Sequence, residues 1–133
     1  MRAIPNVILL DPYEDSYRAI DVSELILTIC STMGYEGALL GKPVIVFSRV
    51  FYQRCSNVRY CSDATRLGAD IKDALGAVQW DFDETLRFMA TVIANSYPGV
   101  RGNPHVDPKV MQPQNIEHWV EAFSDYVQRC GDG

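Results

Sequence analysis

No stretch of about 20 consecutive apolar residues occurs in this sequence, which argues against a membrane-spanning helix. Its first residues also lack a charged start followed by an apolar run and a small-residue cleavage site, so a cytoplasmic chain is expected. Basic residues are outnumbered, 12 Lys and Arg against 17 Asp and Glu. The resulting charge of −5 argues against a nucleic-acid surface, which needs clustered Lys and Arg to neutralise phosphates. Cysteine spacing is equally uninviting to a metal. Cys30, Cys55, Cys61 and Cys130 form no C-x-x-C pair, so no zinc site is expected and reduced thiols are the simpler reading. Nor does composition shift along the chain: a 47% hydrophobic content over 133 residues suits one core and a single domain spanning residues 1–133.

What is present centres on Ser31-Thr32-Met33-Gly34-Tyr35-Glu36-Gly37-Ala38-Leu39-Leu40-Gly41-Lys42-Pro43. This stretch lies between Leu25–Ile29 and Val44–Phe47, two short apolar runs rich in β-branched residues that read as buried parallel strands. The pattern predicts a strand, turn, helix, strand unit. Ser31 or Thr32 can cap the helix through a side-chain oxygen, or present a hydroxyl to a ligand. Gly34 and Gly37 each cost roughly 1 kcal/mol against alanine in a helix interior, so close approach of a ligand or a neighbouring backbone is expected there. Free N–H groups and the positive end of the helix dipole make this N-terminus suited to phosphate. Glu36 lies one turn deeper on nearly the same face. Because Gly34 occupies the position that would close a capping box, Glu36 is left to reach ribose hydroxyls.

From Ser31 to Ile45, followed by Phe51-Tyr52, the sequence resembles the carboxy-terminal domain of capsule polysaccharide biosynthesis proteins. These are bacterial glycosyltransferases with two Rossmann-like domains (the GT-B type), several similar to transferases using CMP-activated Kdo. The similarity runs from about Asn6 to about Leu75 and is strongest between Thr28 and Tyr52. It implies that Ser31 and Thr32 meet the nucleotide phosphate and that Glu36 meets the nucleotide. It implies metal independence and no cofactor, the ligand being a CMP- or UDP-activated sugar, with the enzyme cytoplasmic or peripheral at the inner membrane. Two departures stand out: Gly37 replaces the usual alanine, and no His-Pro strand or acceptor-side domain precedes Asn6. The two histidines, His105 and His118, lie far downstream, so the chain resembles part of an enzyme and no catalytic base is assigned in it.

Along the rest of the chain, Val7–Leu10 reads as a first strand ended by Asp11-Pro12, whose loop would lie on the ligand-binding side of a parallel sheet. A short helix to Val22 follows, with Tyr17 and Ile20 inward. Between Lys42 and Arg66 five basic residues, Lys42, Arg49, Arg54, Arg59 and Arg66, face one acid, Asp63. That local balance of +4, in a chain whose remainder carries −9, favours an anionic ligand near the strand ends. Arg49 and Tyr52, which follow the strand most directly, are the candidates to face the sugar. Asn57–Tyr60 reads as a short fourth strand. Asp63 caps a helix carrying Leu67, Ile71 and Leu75 and closed by Gly76. Asp81 and Glu84 open another over about 81–97 with Phe82, Leu86, Met89 and Ile93 on one face. Four prolines and two glycines between Pro98 and Pro113 predict an irregular segment, with His105 read as a solvated loop residue. The last helix, about 114–128, carries Ile116, Val120, Phe123 and Val127 as a stripe expected to pack on the sheet or on a missing domain.

These readings converge on an α/β chain: a Rossmann-like, three-layer parallel sheet with flanking helices, core 6–76, resembling part of the C-terminal domain of a GT-B transferase. The expected function is nucleotide-sugar binding through Ser31, Thr32, Gly34, Glu36, Arg49 and Tyr52, in partnership with a missing N-terminal domain or a second copy. The alternatives are a free-standing non-catalytic module that binds a partner, or a nucleotide-sugar epimerase-like domain.

Overall fold

The computed structural model describes residues 4–76 and 80–131. By spatial clustering the chain forms two compact units, residues 1–90 and 91–133.

The first unit is built on the expected strand, helix, strand pattern. Helix α1 (Ser16–Val22) leads into β1 (Ile26–Thr28), then α2 (Thr32–Leu39), β2 (Val44–Val46), β3 (Val58–Tyr60) and α3 (Leu67–Gly76). All three strands are parallel in the order β1-β2-β3, with Ile26 opposite Val44 and Val44 opposite Val58. Val44, Ile45 and Val46 are completely buried because β2 is the middle strand and is covered on both faces. Val44 and Val46 join Ile26, Ala38 and Ile20 in one core beneath α1 and α2. Ile45 points the other way, to the side on which α3 packs. The result is a small α/β fold with helices flanking a three-stranded parallel sheet.

Glycines set how closely α2 sits on that sheet. A Cβ at Gly37 would fall 2.1 Å from Cδ1 of Ile26, and one at Gly34 would fall 2.6 Å from the Tyr52 hydroxyl and 2.7 Å from Cγ2 of Thr28. The close neighbour foreseen at both positions is therefore the protein's own core. At the far end of α2, Gly41 turns the chain with a φ of 77° against the Trp80 ring. The buried Asn57 ties this end down by donating through Nδ2 to the carbonyls of Ala38 (2.9 Å) and Lys42 (2.8 Å).

Three sequence expectations about the first unit need correction. Val7–Leu10 is not a strand: it makes no ladder, and its four side chains are 54–84% exposed. A turn closed by Val7 N–H on the Ile4 carbonyl precedes it, and one closed by Glu14 N–H on the Asp11 carbonyl follows. Tyr17 points outward, leaving Ile20 as the buried residue of α1. On α3 the partly buried positions are Leu67, Asp70, Ile71 and Ala74, so Leu75 falls outside the face.

Helix α4 (Phe82–Ala94) starts where foreseen, with Asp81 Oδ1 accepting from Glu84 N–H at 3.0 Å, but it is rotated from the expected face. Trp80 Nε1–H donates to Thr85 Oγ1 (3.0 Å), which donates on to the Asp81 carbonyl (2.9 Å). This pair turns Thr85 and Phe88 inward and leaves Phe82, Leu86 and Ile93 exposed. In the second unit the stretch before α5 (Pro113–Gly131) is irregular as expected, apart from a 3₁₀ turn at Pro108–Met111. Asn115 organises it, accepting from Val100 N–H and donating to the carbonyls of Val100 and Val110. The α5 stripe expected to pack on the sheet or on a missing domain is exposed at Ile116, Val120, Phe123 and Val127. No helix among the described residues is long and apolar enough to cross a membrane.

Candidate functional site

In a parallel sheet every strand points its carboxyl end to the same edge, and the helix after each strand begins there. On that edge β1 runs through Ile29 and Cys30 into α2, β2 runs through Ser48 and Arg49 into a 3₁₀ turn at Phe51–Arg54, and β3 runs into Asp63. Ser31, Thr32 and Arg49 thus gather at one rim of the first unit.

The opening turn of α2 is an ordered network. Ser31 is the N-cap, its Oγ accepting from Met33 N–H at 3.0 Å, while its own N–H donates to Thr28 Oγ1 at 3.2 Å. The Ser31 carbonyl accepts from Gly34 N–H (3.1 Å) and from the Tyr52 hydroxyl (2.9 Å). Tyr52 is 1% exposed, so its phenol is a structural donor aimed at the cap rather than a group facing solvent. Burial pushes its pKa up, with the neighbouring Cys30 thiol adding to the effect, and the hydroxyl stays protonated as this bond requires. Gly34 is the gap that admits the Tyr52 ring.

Helix starts leave several N–H groups without intrahelical acceptors. Ser31 takes two of them here, those of Met33 and Gly34. The N–H of Thr32 has no protein acceptor among the described residues, and the Thr32 side chain is exposed. Glu36, half-buried one turn along, forms no ion pair among the described residues.

The basic residues divide by edge. Arg49 is exposed and has no ion pair among the described residues, and Arg66 follows β3 at the same rim. Arg59 is taken by Asp73 at 3.2 Å, and Lys42, which precedes β2 at the opposite edge, donates to the Asp21 carbonyl at 2.7 Å. Beside the rim, Tyr35, Phe51, Tyr52 and Phe88 form an aromatic cluster with ring centroids 5.1–6.4 Å apart. Phe51 is 61% exposed within it, a flat apolar surface fixed by its neighbours.

Two contributors escaped the sequence reading. Thr28 holds Ser31 from the strand, and its position three residues before the cap is the one signal that could have exposed it. Phe51 showed only as a neighbour of Tyr52. All four cysteines are free thiols, with Cys30 and Cys130 exposed and Cys55 and Cys61 buried. Among the described residues no group of three His, Cys, Asp or Glu side chains is placed to hold a metal ion. Compared with protein-family models, curated proteins and solved structures, the chain finds no match.

Proposed function

We propose that the first unit binds a nucleotide-activated sugar and that the chain is the Rossmann-like donor-binding part of a GT-B glycosyltransferase of the capsule polysaccharide type. The observation that carries this reading is the rim itself: among the described residues the N–H of Thr32 has no acceptor and its exposed hydroxyl stands at a helix N-terminus, while Arg49 is exposed without an ion pair. A phosphate would accept from Thr32 and pair with Arg49, aided by the helix dipole. Ser31 and Gly34 shape the turn, and Tyr52 acts through the Ser31 carbonyl. Glu36 would accept from ribose hydroxyls or from the base. The chemistry is electrostatic help to a departing nucleotide, with the general base outside these residues. A cytoplasmic setting, a CMP- or UDP-sugar as ligand and an acceptor-side domain as partner belong to the same proposal.

Isothermal titration of CMP and UDP into wild type, Thr32→Glu and Arg49→Ala tests it. Binding to wild type that is abolished by Thr32→Glu and weakened by Arg49→Ala is expected. Absent binding, or equal binding by all three, overturns the reading. One observation favours the free-standing interaction module instead: Val120, Phe123, Tyr126 and Val127 of α5 form an exposed apolar stripe. Concentration-dependent association in light scattering, abolished by Phe123→Lys, would support that alternative.

A further inference from the structure

Strand β1 is an edge strand, and its hydrogen bonding shows which way it is open. Ile26 N–H donates to the Pro43 carbonyl and the Thr28 carbonyl accepts from Phe47 N–H, so Ile26 and Thr28 turn their main-chain groups toward β2. Leu27, between them, turns its N–H and C=O away from the sheet. The side chains of Leu27 and Ile29 are exposed on this margin. A bare parallel edge with apolar side chains is an unstable way to end a sheet.

The same unit contains a run with the composition of a strand but no partner among the described residues. Val7-Ile8-Leu9-Leu10 is apolar at every position, as a strand buried on both faces should be, yet it makes no ladder and all four side chains are exposed. Topology assigns it to one place. Helix α1 lies on the same face as α2, since Ile20 shares a core with Ala38 and Ile26. Parallel crossovers are right-handed in nearly every protein, and two consecutive right-handed crossovers over one face step in the same direction. If β1–α2–β2 steps one way, a strand before α1 falls on the side of β1 away from β2, the side that is open. The connections have suitable lengths, with 11–15 joining the run to α1 and 23–25 joining α1 to β1. Leu10 already lines a cavity of about 330 Å³ with Glu14, Arg18, Ala19 and Val22, which keeps this end of the run beside α1.

We propose that Val7–Leu10 closes onto the open edge of β1 as a fourth parallel strand within the same chain. Closure pairs the outward N–H and C=O of Leu27 and brings the Asp11–Glu14 turn to the rim that carries Ser31 and Thr32. The turn is already formed, with Asp11 Oδ1 accepting from Tyr13 N–H at 2.9 Å, and Tyr13 is almost fully exposed on it. That turn then walls the donor site, a consequence that rests on the nucleotide-sugar reading, whereas the strand itself does not.

Hydrogen exchange on the full chain, followed residue by residue, tests the strand without any ligand. The Leu27 amide and alternate amides of the 7–10 run should exchange at least about tenfold more slowly than expected for unpaired backbone. Of Ile8→Pro and Leu9→Pro, the one at the position whose N–H faces β1 removes a ladder donor and should return Leu27 to fast exchange while the amides of β2 keep their protection. If that variant unfolds the whole unit, Ile8→Asp serves in its place. Fast exchange at Leu27 in wild type overturns the proposal, and so does protection that appears only in a dimer by light scattering. CMP titration then separates the two readings: protection at Leu27 without CMP binding to wild type keeps the strand and removes the nucleotide-sugar reading with its wall, and CMP binding without protection keeps that reading and overturns the strand.

Discussion

The Ser31 carbonyl is the point on which the rim depends. It accepts from Gly34 N–H and from the buried Tyr52 hydroxyl, and Gly34 is the position that leaves room for the second bond. Gly34→Ala would place a methyl 2.6 Å from that hydroxyl and 2.7 Å from Thr28 Cγ2. Helix propensity alone favours alanine by roughly 1 kcal/mol, but overpacking typically costs about 1–3 kcal/mol, and both obstructing side chains are held by Ser31, Tyr52 donating to its carbonyl and Thr28 accepting from its N–H. Net destabilisation is therefore expected in urea unfolding. Tyr52→Phe should lose about 1 kcal/mol through the missing bond. The two effects are coupled: Gly34→Ala should cost less in the Tyr52→Phe background, because the closest atom is gone. Additive losses would mean that Gly34 serves helix placement and not the Tyr52 bond. The sequence exposed the glycines as sites of close approach. It did not reveal what approaches, because a tyrosine 18 residues downstream leaves no local trace on the helix it supports.

Among elements, α5 offers a sharper test than the sheet. Its Asp125 accepts from the Tyr97 hydroxyl and pairs with Arg129 at 2.8 Å, which ties the segment after α4 to the last helix. The Tyr97 hydroxyl, and then Arg129, hold the Asp125 carboxyl below the usual carboxylate range. A depressed folded-state pKa contributes stability that is present above the unfolded value and is lost as pH falls through the folded one. Asp63, depressed by its bonds from Thr65, follows the same sign, so the contribution of Asp125 must be isolated by difference. Wild type should melt above Asp125→Asn near neutral pH, and the gap should close in acid. A gap independent of pH would mean that packing, not the carboxylate, holds the segment. The elements also show what the pattern of residues can carry. Leu25–Ile29, Val44–Phe47 and Asn57–Tyr60 each contain an observed strand, because β-branched runs between turn residues have few other uses. The inward face of α4 was illegible, since Thr85 is buried through a hydrogen bond from Trp80 that a count of apolar residues cannot register.

At the scale of the molecule, charge is divided unevenly, and the structure sharpens that division. The sequence places +4 between Lys42 and Arg66 and −9 elsewhere. Lys42 donates to the Asp21 main-chain carbonyl and Arg59 pairs with Asp73, which leaves Arg49, Arg54 and Arg66 as the cations on the carboxyl side of the strands. An anion at Thr32 would feel these arginines at shorter range than the acidic remainder. Screening separates the contributions, since the Debye length is about 10 Å at 0.1 M salt and about 3 Å at 1 M. Once salt is high enough to silence the distant acids, only the near arginines still act, and further salt can only weaken binding. CMP affinity should therefore fall between about 0.1 M and 1 M salt, by a factor on the order of three to ten. Arg49→Ala should flatten that dependence as well as weaken binding. If Arg49→Ala weakens CMP binding but leaves its salt dependence unchanged, Arg49 acts through local structure, and the phosphate is held by Thr32 and the helix end.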